Sequence, residues 1–397
     1  MRTYWPRFDL SEFENSVPAI EYLDWYIPRL IQERKHNLSF SGMQYDWDVP
    51  DLLQDGIYDI GKKHMGKIED PRILIANREG VEVDNVLICH GATQGINLSL
   101  LAMITKLRSV KQNIVVAVES PTYAPLPQSA LILANEVIKI TRNPPSSGIG
   151  NWRINKQEWA DAMIKSDILM ITPVSNPSGW NLDANDRKWI ADFAQEHNVG
   201  IIADEVYIDA YRSKPNFHPM HKYGNGNISI NSLTKIYSLG QIRFGWIISD
   251  KDTIEIARRV FMTFSGVMGS PTMRIASAAL QRLDDVDAAI EYYRSQNLPK
   301  LRAVLQRFSI KWNEPEAGIF GCFELPNKIL AEDFADGPCK DNDLLVIPGS
   351  MFCDSLKNWV RVAWSIEPKS FDLAISALEN SLDSAINRKQ VNKSNNP

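Results

Sequence analysis

At 397 residues the chain exceeds one small core and suits one large domain with a smaller companion. Its 44% hydrophobic and 23% charged residues are ordinary for a soluble protein, and a net charge of −5 argues against nucleic acid or an anionic membrane as partner. No apolar run reaches the roughly 20 residues of a membrane span, and no secretion-signal pattern opens the sequence.

Residues 1 to about 36 are rich in aromatics and end in a predicted helix around Ala19–Tyr26, with Pro28 ending or kinking it. Asn37–Met43 reads as a short extended arm closed by Gly42, which either packs on its own domain or passes the mouth of a site. From Asp46 helices and strands alternate. Asn85–Cys89 is an apolar, β-branched strand, and the small-residue turn His90–Gly95 leads from it into a helix. Strand, small turn and helix N-terminus together make an anion site, because free N–H groups and the helix dipole both face the ligand. Asn113–Val118 is the next buried strand. Pro121 stops it, and Tyr123 follows at its C-terminal end, where ligands gather in open α/β sheets.

Glu136–Ile140 and Asp167–Thr172 are further strands, joined by the Pro- and Gly-rich link Asn143–Gly150 and a helix near Gln157–Lys165. Asn176-Pro-Ser-Gly179 is a turn. Val199–Asp204 ends on a carboxylate that needs a cationic partner or a helix to cap. Asn227–Ser232 and Arg243–Ser249 complete the strands of this unit. Lys251–Arg259 reads as helix, Phe261–Ser270 as loop and Met273–Leu283 as helix. Beyond Asp284 a second unit begins with a long helix, Val286–Phe308, which Pro299 would interrupt. Strands Gly318–Glu324, Leu344–Ile347 and Trp359–Trp364 and a helix Ser370–Asp383 follow, and the polar tail from Asn387 is expected to be disordered. Cysteines 89, 322, 339 and 353 and the six histidines lack metal-ligand spacing, which fits reduced thiols in a cytoplasm and no metal site.

The segment Ser232-Leu-Thr-Lys235 through Arg243-Phe-Gly245 lies in the loop between two of these strands. Ser232 offers a hydroxyl and Arg243 a two-point guanidinium for a phosphate. An amine able to form a Schiff base beside such a cradle is what pyridoxal phosphate requires. The spacing, Ser-x-x-Lys with Arg eight positions after Lys235 and then x-Gly, closely resembles the cofactor-lysine motif of fold-type I aminotransferases, classes I and II. Gly91–Gly95, Tyr123, Asn176-Pro-Ser-Gly, Asp204 with Tyr207, and Arg361 after a Pro348-Gly-Ser-x-Phe352 turn fall in the family's order.

This resemblance implies a three-layer α/β large domain with a mostly parallel seven-stranded sheet, over residues 46–284, and a smaller α+β domain from 1–45 and 285–386. It implies pyridoxal 5'-phosphate as cofactor and an aminotransferase passing an amino group from an L-amino acid to a 2-oxo acid through a Schiff base on Lys235. Ala92, Thr93, Gln94, Ser232 and Arg243 would hold the phosphate and Tyr123 would stack on the ring. Asp204 would answer the ring nitrogen, and Asn176 and Tyr207 the ring oxygen. Arg361, with Gly42 and Asn176, would bind the substrate. A cytoplasmic homodimer with active sites at the interface is implied too. One piece departs from the pattern: where the family carries an intersubunit tyrosine, Gly61–Gly66 holds His64 and Met65, with Tyr58 further back.

The same site chemistry also serves carbon–sulfur lyases and amino-acid oxidases or cyclases, and a ligand-sensing regulator could keep the fold. The latter would need a basic DNA-binding segment for which the 36 residues or so before Asn37 are too short. Asp46 and Asp48, with Trp47 and Trp180, suggest a cationic substrate side chain.

Overall fold

The computed structural model describes residues 20–47, 69–146, 151–215, 217–312 and 314–394. In chain order the strands are β1 (His36–Asn37), β2 (Val86–Cys89), β3 (Val115–Ser120), β4 (Glu136–Asn143), β5 (Arg153–Ile154), β6 (Ile168–Ile171), β7 (Gly200–Asp204), β8 (Ile228–Ser232), β9 (Gly245–Ile248), β10 (Phe320–Glu324), β11 (Leu344–Leu345), β12 (Ile347–Pro348) and β13 (Trp359–Ala363).

Strands β6 to β9 are almost wholly buried, β-branched or apolar runs, as a sheet covered on both faces requires. They belong to an eight-stranded sheet in the order β2-β9-β8-β7-β6-β3-β4-β5. It is parallel except for β9, antiparallel to both its neighbours, and the two-residue β5. The seven longer strands are those the apolar runs predict. The eighth, β5, is too short to show a period and lies between the predicted link Asn143–Gly150 and the helix near Gln157.

Helices on the two faces start from side-chain caps at Asn155, Asp183 and Asp250. The helix Lys251–Phe264 continues past Arg259, because Phe261 falls on the same face as Ala257 and is buried with it in the core. The loop predicted from Phe261 therefore begins at Ser265.

The second unit has its own core around Leu298, Leu301, Phe323, Phe334 and Phe371. Its sheet is antiparallel, in the order β10-β13-β12. Strand β1 pairs in parallel with β11, which fixes the arm that follows α-helix Glu21–Ile31 onto this unit. One 25-residue helix, Leu283–Arg307, joins the two units and runs through Pro299 without a break. Its first turns bury Leu283, Val286 and Ile290 in the large core, and Leu298 and Leu301 anchor it in the small one on either side of the proline. The last helix, Pro368–Ser394, extends through Asn387, where a disordered tail was expected. Among the described residues no helix is long and apolar enough to cross a membrane.

One close approach sets the geometry at the sheet's upper edge. A methyl group on Gly245 of β9 would lie 2.8 to 2.9 Å from the backbone of Gly91 and from the Asn231 carbonyl. Gly245→Ala is therefore expected to cost about 1–3 kcal/mol by overpacking; a thermal melt matching that of the wild type would contradict this packing.

Candidate active site

The strands deliver their last residues to one place. Asp204 ends β7, Ser232 ends β8, Thr172 follows β6 and Tyr123 follows β3. With Ala92, Thr93, Asn176, Val206, Tyr207, Thr234, Lys235 and Arg243 they line a cavity of about 80 Å³. A larger hollow, about 480 Å³, opens at the opposite ends of the strands near Asp167, Gly200 and Asn227, away from these groups.

At one end of the small cavity everything is arranged for an anion. The helix Gly91–Leu107 points its N-terminus there, with Ala92 and Thr93 in its first turn. Gly91 has φ 79°, and a methyl on it would fall 2.8 Å from the Arg243 guanidinium, so glycine permits both the turn and the approach. Arg243 itself is held in the left-handed region at φ 51°, a strained state typical of functional loops. Its guanidinium has one long hydrogen bond, 3.5 Å to the Gly240 carbonyl, and no carboxylate partner among the described residues. The Thr234 hydroxyl is buried without a partner among the described residues. Free N–H groups, an orphaned hydroxyl, Ser232 and a loosely held guanidinium suit a phosphate.

The Gln94 side chain is engaged within the protein. Its Oε1 accepts from the His90 N–H at 2.8 Å and its Nε2 donates to Ser265 Oγ at 2.6 Å, so its side chain ties two loops together. One step of about 100° around the helix from Thr93 turns it off the cavity.

At the other end sit a carboxylate and an amine. Asp204 is 3% exposed, and burial pushes its carboxyl up to about 6. Its one hydrogen bond is a weak one, 3.4 Å from the Val206 N–H. Burial pushes the Lys235 amine down to about 8; the Arg361 and Arg243 guanidiniums add to the fall and Asp204 opposes it. Lys235 Nζ donates to Ser41 Oγ at 2.8 Å. The Tyr207 hydroxyl is buried beside them, and burial raises its pKa.

Arg361, on β13 of the small unit, is fully buried. Its Nη1 donates to Asn176 Oδ1 at 2.8 Å and its Nη2 to the Ser39 carbonyl at 2.6 Å. The guanidinium lies 5.2 and 5.5 Å from the Phe320 and Phe352 ring centres, its Nε has no partner, and no carboxylate among the described residues pairs with it. Gly42 belongs to the arm, which crosses the site: the Met43 N–H donates to the Lys235 carbonyl at 2.7 Å.

Residues 74–378 match the family described as aminotransferase class I and II. The chain belongs to this family. It is 24% identical over 313 residues to an aspartate aminotransferase of Pyrococcus horikoshii, covering 76% of each chain. To an aromatic-amino-acid aminotransferase of Thermococcus litoralis it is 22% identical, over 82% of this chain and 80% of that one. The structure of an N-succinyldiaminopimelate aminotransferase from Mycobacterium tuberculosis superposes with a TM-score of 0.79 at 20% identity, over 93% of this chain and 98% of that one. The fold is accordingly fold type I, and the chain is a pyridoxal-phosphate-dependent aminotransferase.

Several residues of this aminotransferase site escaped the sequence. Ser41 touches the lysine, and its one signal is its place just before Gly42. Glu119 and Arg142, both fully buried, end adjacent parallel strands. Glu119 accepts from the Thr172 N–H at 2.7 Å, and Arg142 donates to the carbonyls of Pro173 and Trp180 at 3.0 and 2.8 Å. Together they clamp both ends of the turn that presents Asn176. Of the groups suggested for a cationic substrate, the three among the described residues do not gather here. Asp46 is exposed, Trp47 is buried with its indole N–H on the Tyr237 carbonyl at 2.8 Å, and Trp180 packs near Trp152 and Trp359. Asp48, Tyr58, His64 and Met65 lie outside the described residues.

Asp204 carries a stability signature. Its folded pKa is raised, so its stabilising contribution is present below pH 4 and is lost as pH rises through about 6. Asp204→Asn should therefore stabilise the cofactor-free protein at pH 8 by roughly 1–3 kcal/mol and do little at pH 4. Melting curves showing the reverse pH order would overturn this account.

Proposed function

We propose that this enzyme moves the amino group of an L-amino acid to a 2-oxo acid with pyridoxal 5'-phosphate held covalently on Lys235. The observation that carries this reading is the placement of the Lys235 amine and the Asp204 carboxylate in one cavity that ends in an anion cradle. When bound, the cofactor supplies an aldehyde that captures amines and a ring that takes up the electrons left by a departing proton.

The chain's own residues then have separate tasks. The first-turn N–H groups at Ala92 and Thr93, the hydroxyls of Ser232 and Thr234, and Arg243 hold the phosphate. Asp204 keeps a proton on the ring nitrogen, and the desolvation that raises its own pKa makes that proton hard to lose. Tyr123 covers the ring face. Asn176 commits its Oδ1 to Arg361, which leaves its amide N–H groups to donate, with the Tyr207 hydroxyl, to the ring oxygen. Arg361 keeps unused N–H positions for the substrate α-carboxylate, and Gly42 leaves the arm room to pass. Lys235, lowered to about 8, is partly unprotonated near neutrality and takes the substrate α-proton at Nζ before returning it to the opposite end of the reacting system.

A homodimer is part of this reading. Phe264 and Val267, 74% and 71% exposed, flank Ser265, which Gln94 binds at the phosphate end, so an apolar surface adjoins the site. A cytoplasmic setting suits the four free cysteines.

Lys235→Ala should lose the visible absorbance band of the loaded enzyme and at least about 10²–10⁴-fold in turnover; full activity would refute the assignment. Arg361→Gln should raise KM for the amino acid by about 10- to 150-fold, as expected for one charge-assisted contact, while leaving cofactor binding intact. A half-reaction yielding stoichiometric pyridoxamine phosphate supports transfer, whereas pyruvate and ammonia from a cysteine-type substrate would assign a lyase instead.

A further inference from the structure

We propose that Ser41 on the N-terminal arm is a positioning residue that holds the Lys235 amine, whenever it is not bonded to the cofactor, between Asp204 and Tyr207. This rests on the assignment of Lys235 as the cofactor lysine. Among the described residues, the 2.8 Å contact to Ser41 Oγ is the one hydrogen bond that the amine makes. Tyr207 lines the same cavity as the amine, and Ser41 opposes the rise that burial gives its hydroxyl, so the serine stands beside both the base and the phenol.

The arm is fixed at both sides of the serine. The Met43 N–H donates to the Lys235 carbonyl at 2.7 Å, and Ser365 Oγ, from the small unit, donates to the Gly42 carbonyl at 3.0 Å. Upstream, the Ser39 carbonyl accepts from Arg361 at 2.6 Å. The hydroxyl is therefore placed by backbone contacts to both units, with no reliance on its own rotamer alone.

The chemistry of the partner matters. Asp204, Arg243 and Arg361 are the charged groups that act on this amine, and the Tyr207 hydroxyl lines the same cavity. A direct ion pair with Asp204 would lock the amine as ammonium and disable it as a base. A hydroxyl accepts from the ammonium and donates to the neutral amine's lone pair, so it holds the group in both protonation states, more strongly as the ammonium because that bond is charge-assisted. The arm thereby keeps a four-carbon side chain, which has many rotamers of its own, in one reactive position.

The test uses full-length Ser41→Ala and Ser41→Thr. In the cofactor-free protein, labelling of Lys235 by acetic anhydride across pH 6 to 11, read by peptide mass spectrometry, reports the amine's titration. The wild-type midpoint is expected near 8. Losing an acceptor for the charged form should lower it by about one pH unit in Ser41→Ala, and Ser41→Thr should restore it. In the loaded enzyme, kcat of Ser41→Ala should fall by roughly tenfold with KM little changed, and the acid limb of its pH profile should move down with the midpoint. An unmoved midpoint in Ser41→Ala, or an equal shift in the threonine variant, overturns the proposal. A wild-type protein that shows no visible band with pyridoxal phosphate sinks the cofactor assignment and leaves the labelling result to be read by itself.

Discussion

Three cationic side chains and one carboxylate share a site in which none of them is neutralised by a direct ion pair. Lys235, Arg243 and Arg361 outnumber Asp204, and among the described residues none of the three cations forms a salt bridge. Arg243 is exposed, but burying charges such as the other three is costly, and the pKa shifts of Asp204 and Lys235 toward their neutral forms record that cost. The surplus is positive, which is what a ligand carrying a phosphate and a substrate carrying a carboxylate would balance. The fold tolerates the strain because the rest of the sheet is a close-packed apolar core.

The scaffold acts on the site through carbonyls and glycines as much as through ligand-facing side chains. Arg142 and Glu119 spend their hydrogen bonds on the backbone of Thr172, Pro173 and Trp180, which fixes the turn on either side of Asn176. Within that turn Gly179 has φ 73°, and a methyl there would collide with the Phe320 carbonyl, so the turn is pressed against β10 of the small unit. The lysine loop rests on a comparable support. Asn231 Nδ2 donates to the buried Asp209 at 2.8 Å, Asp209 also binds Arg212, and Arg78 donates to the Tyr237 hydroxyl at 3.0 Å. A change in either support moves a cofactor-facing group without touching the cavity.

Much of this was legible in the sequence for physical reasons that can be named. The inner strands of a doubly covered sheet must be continuous apolar runs, and Ile168–Ile171 and Gly200–Asp204 read that way before any coordinates. Asp204 stood out as a carboxylate ending such a run, and Lys235 and Arg243 through the Ser-x-x-Lys spacing with Arg eight positions on. What stayed hidden depends on packing that no local pattern records. Strand β5 has two residues and no period, and the helix end at Phe264 was masked by the following Gly and Met. The task of the Gln94 side chain stayed hidden because a turn's backbone donors and its side chains point in different directions. Arg142 lies past the strand Glu136–Ile140 that the sequence shows, and its burial follows from Glu119 on the neighbouring strand, a pairing known only once the sheet order is known.

The arm is the feature that joins these parts. Arg361 belongs to the small unit, its Nη1 reaches Asn176 in the large one, and its Nη2 reaches Ser39 in the arm, so one guanidinium ties three segments separated by more than a hundred residues. Two and four residues after Ser39, Ser41 touches the Lys235 amine and Met43 binds its carbonyl. The arm is itself held to the small unit by β1 on β11. The residue suited to the substrate carboxylate and the residue suited to its α-proton are thus positioned by the same five residues of extended chain. Their relative placement is set by hydrogen bonds to the backbone of this short segment, from Arg361 at Ser39 and from the Met43 N–H to the lysine carbonyl, together with the Ser41 hydroxyl on the amine.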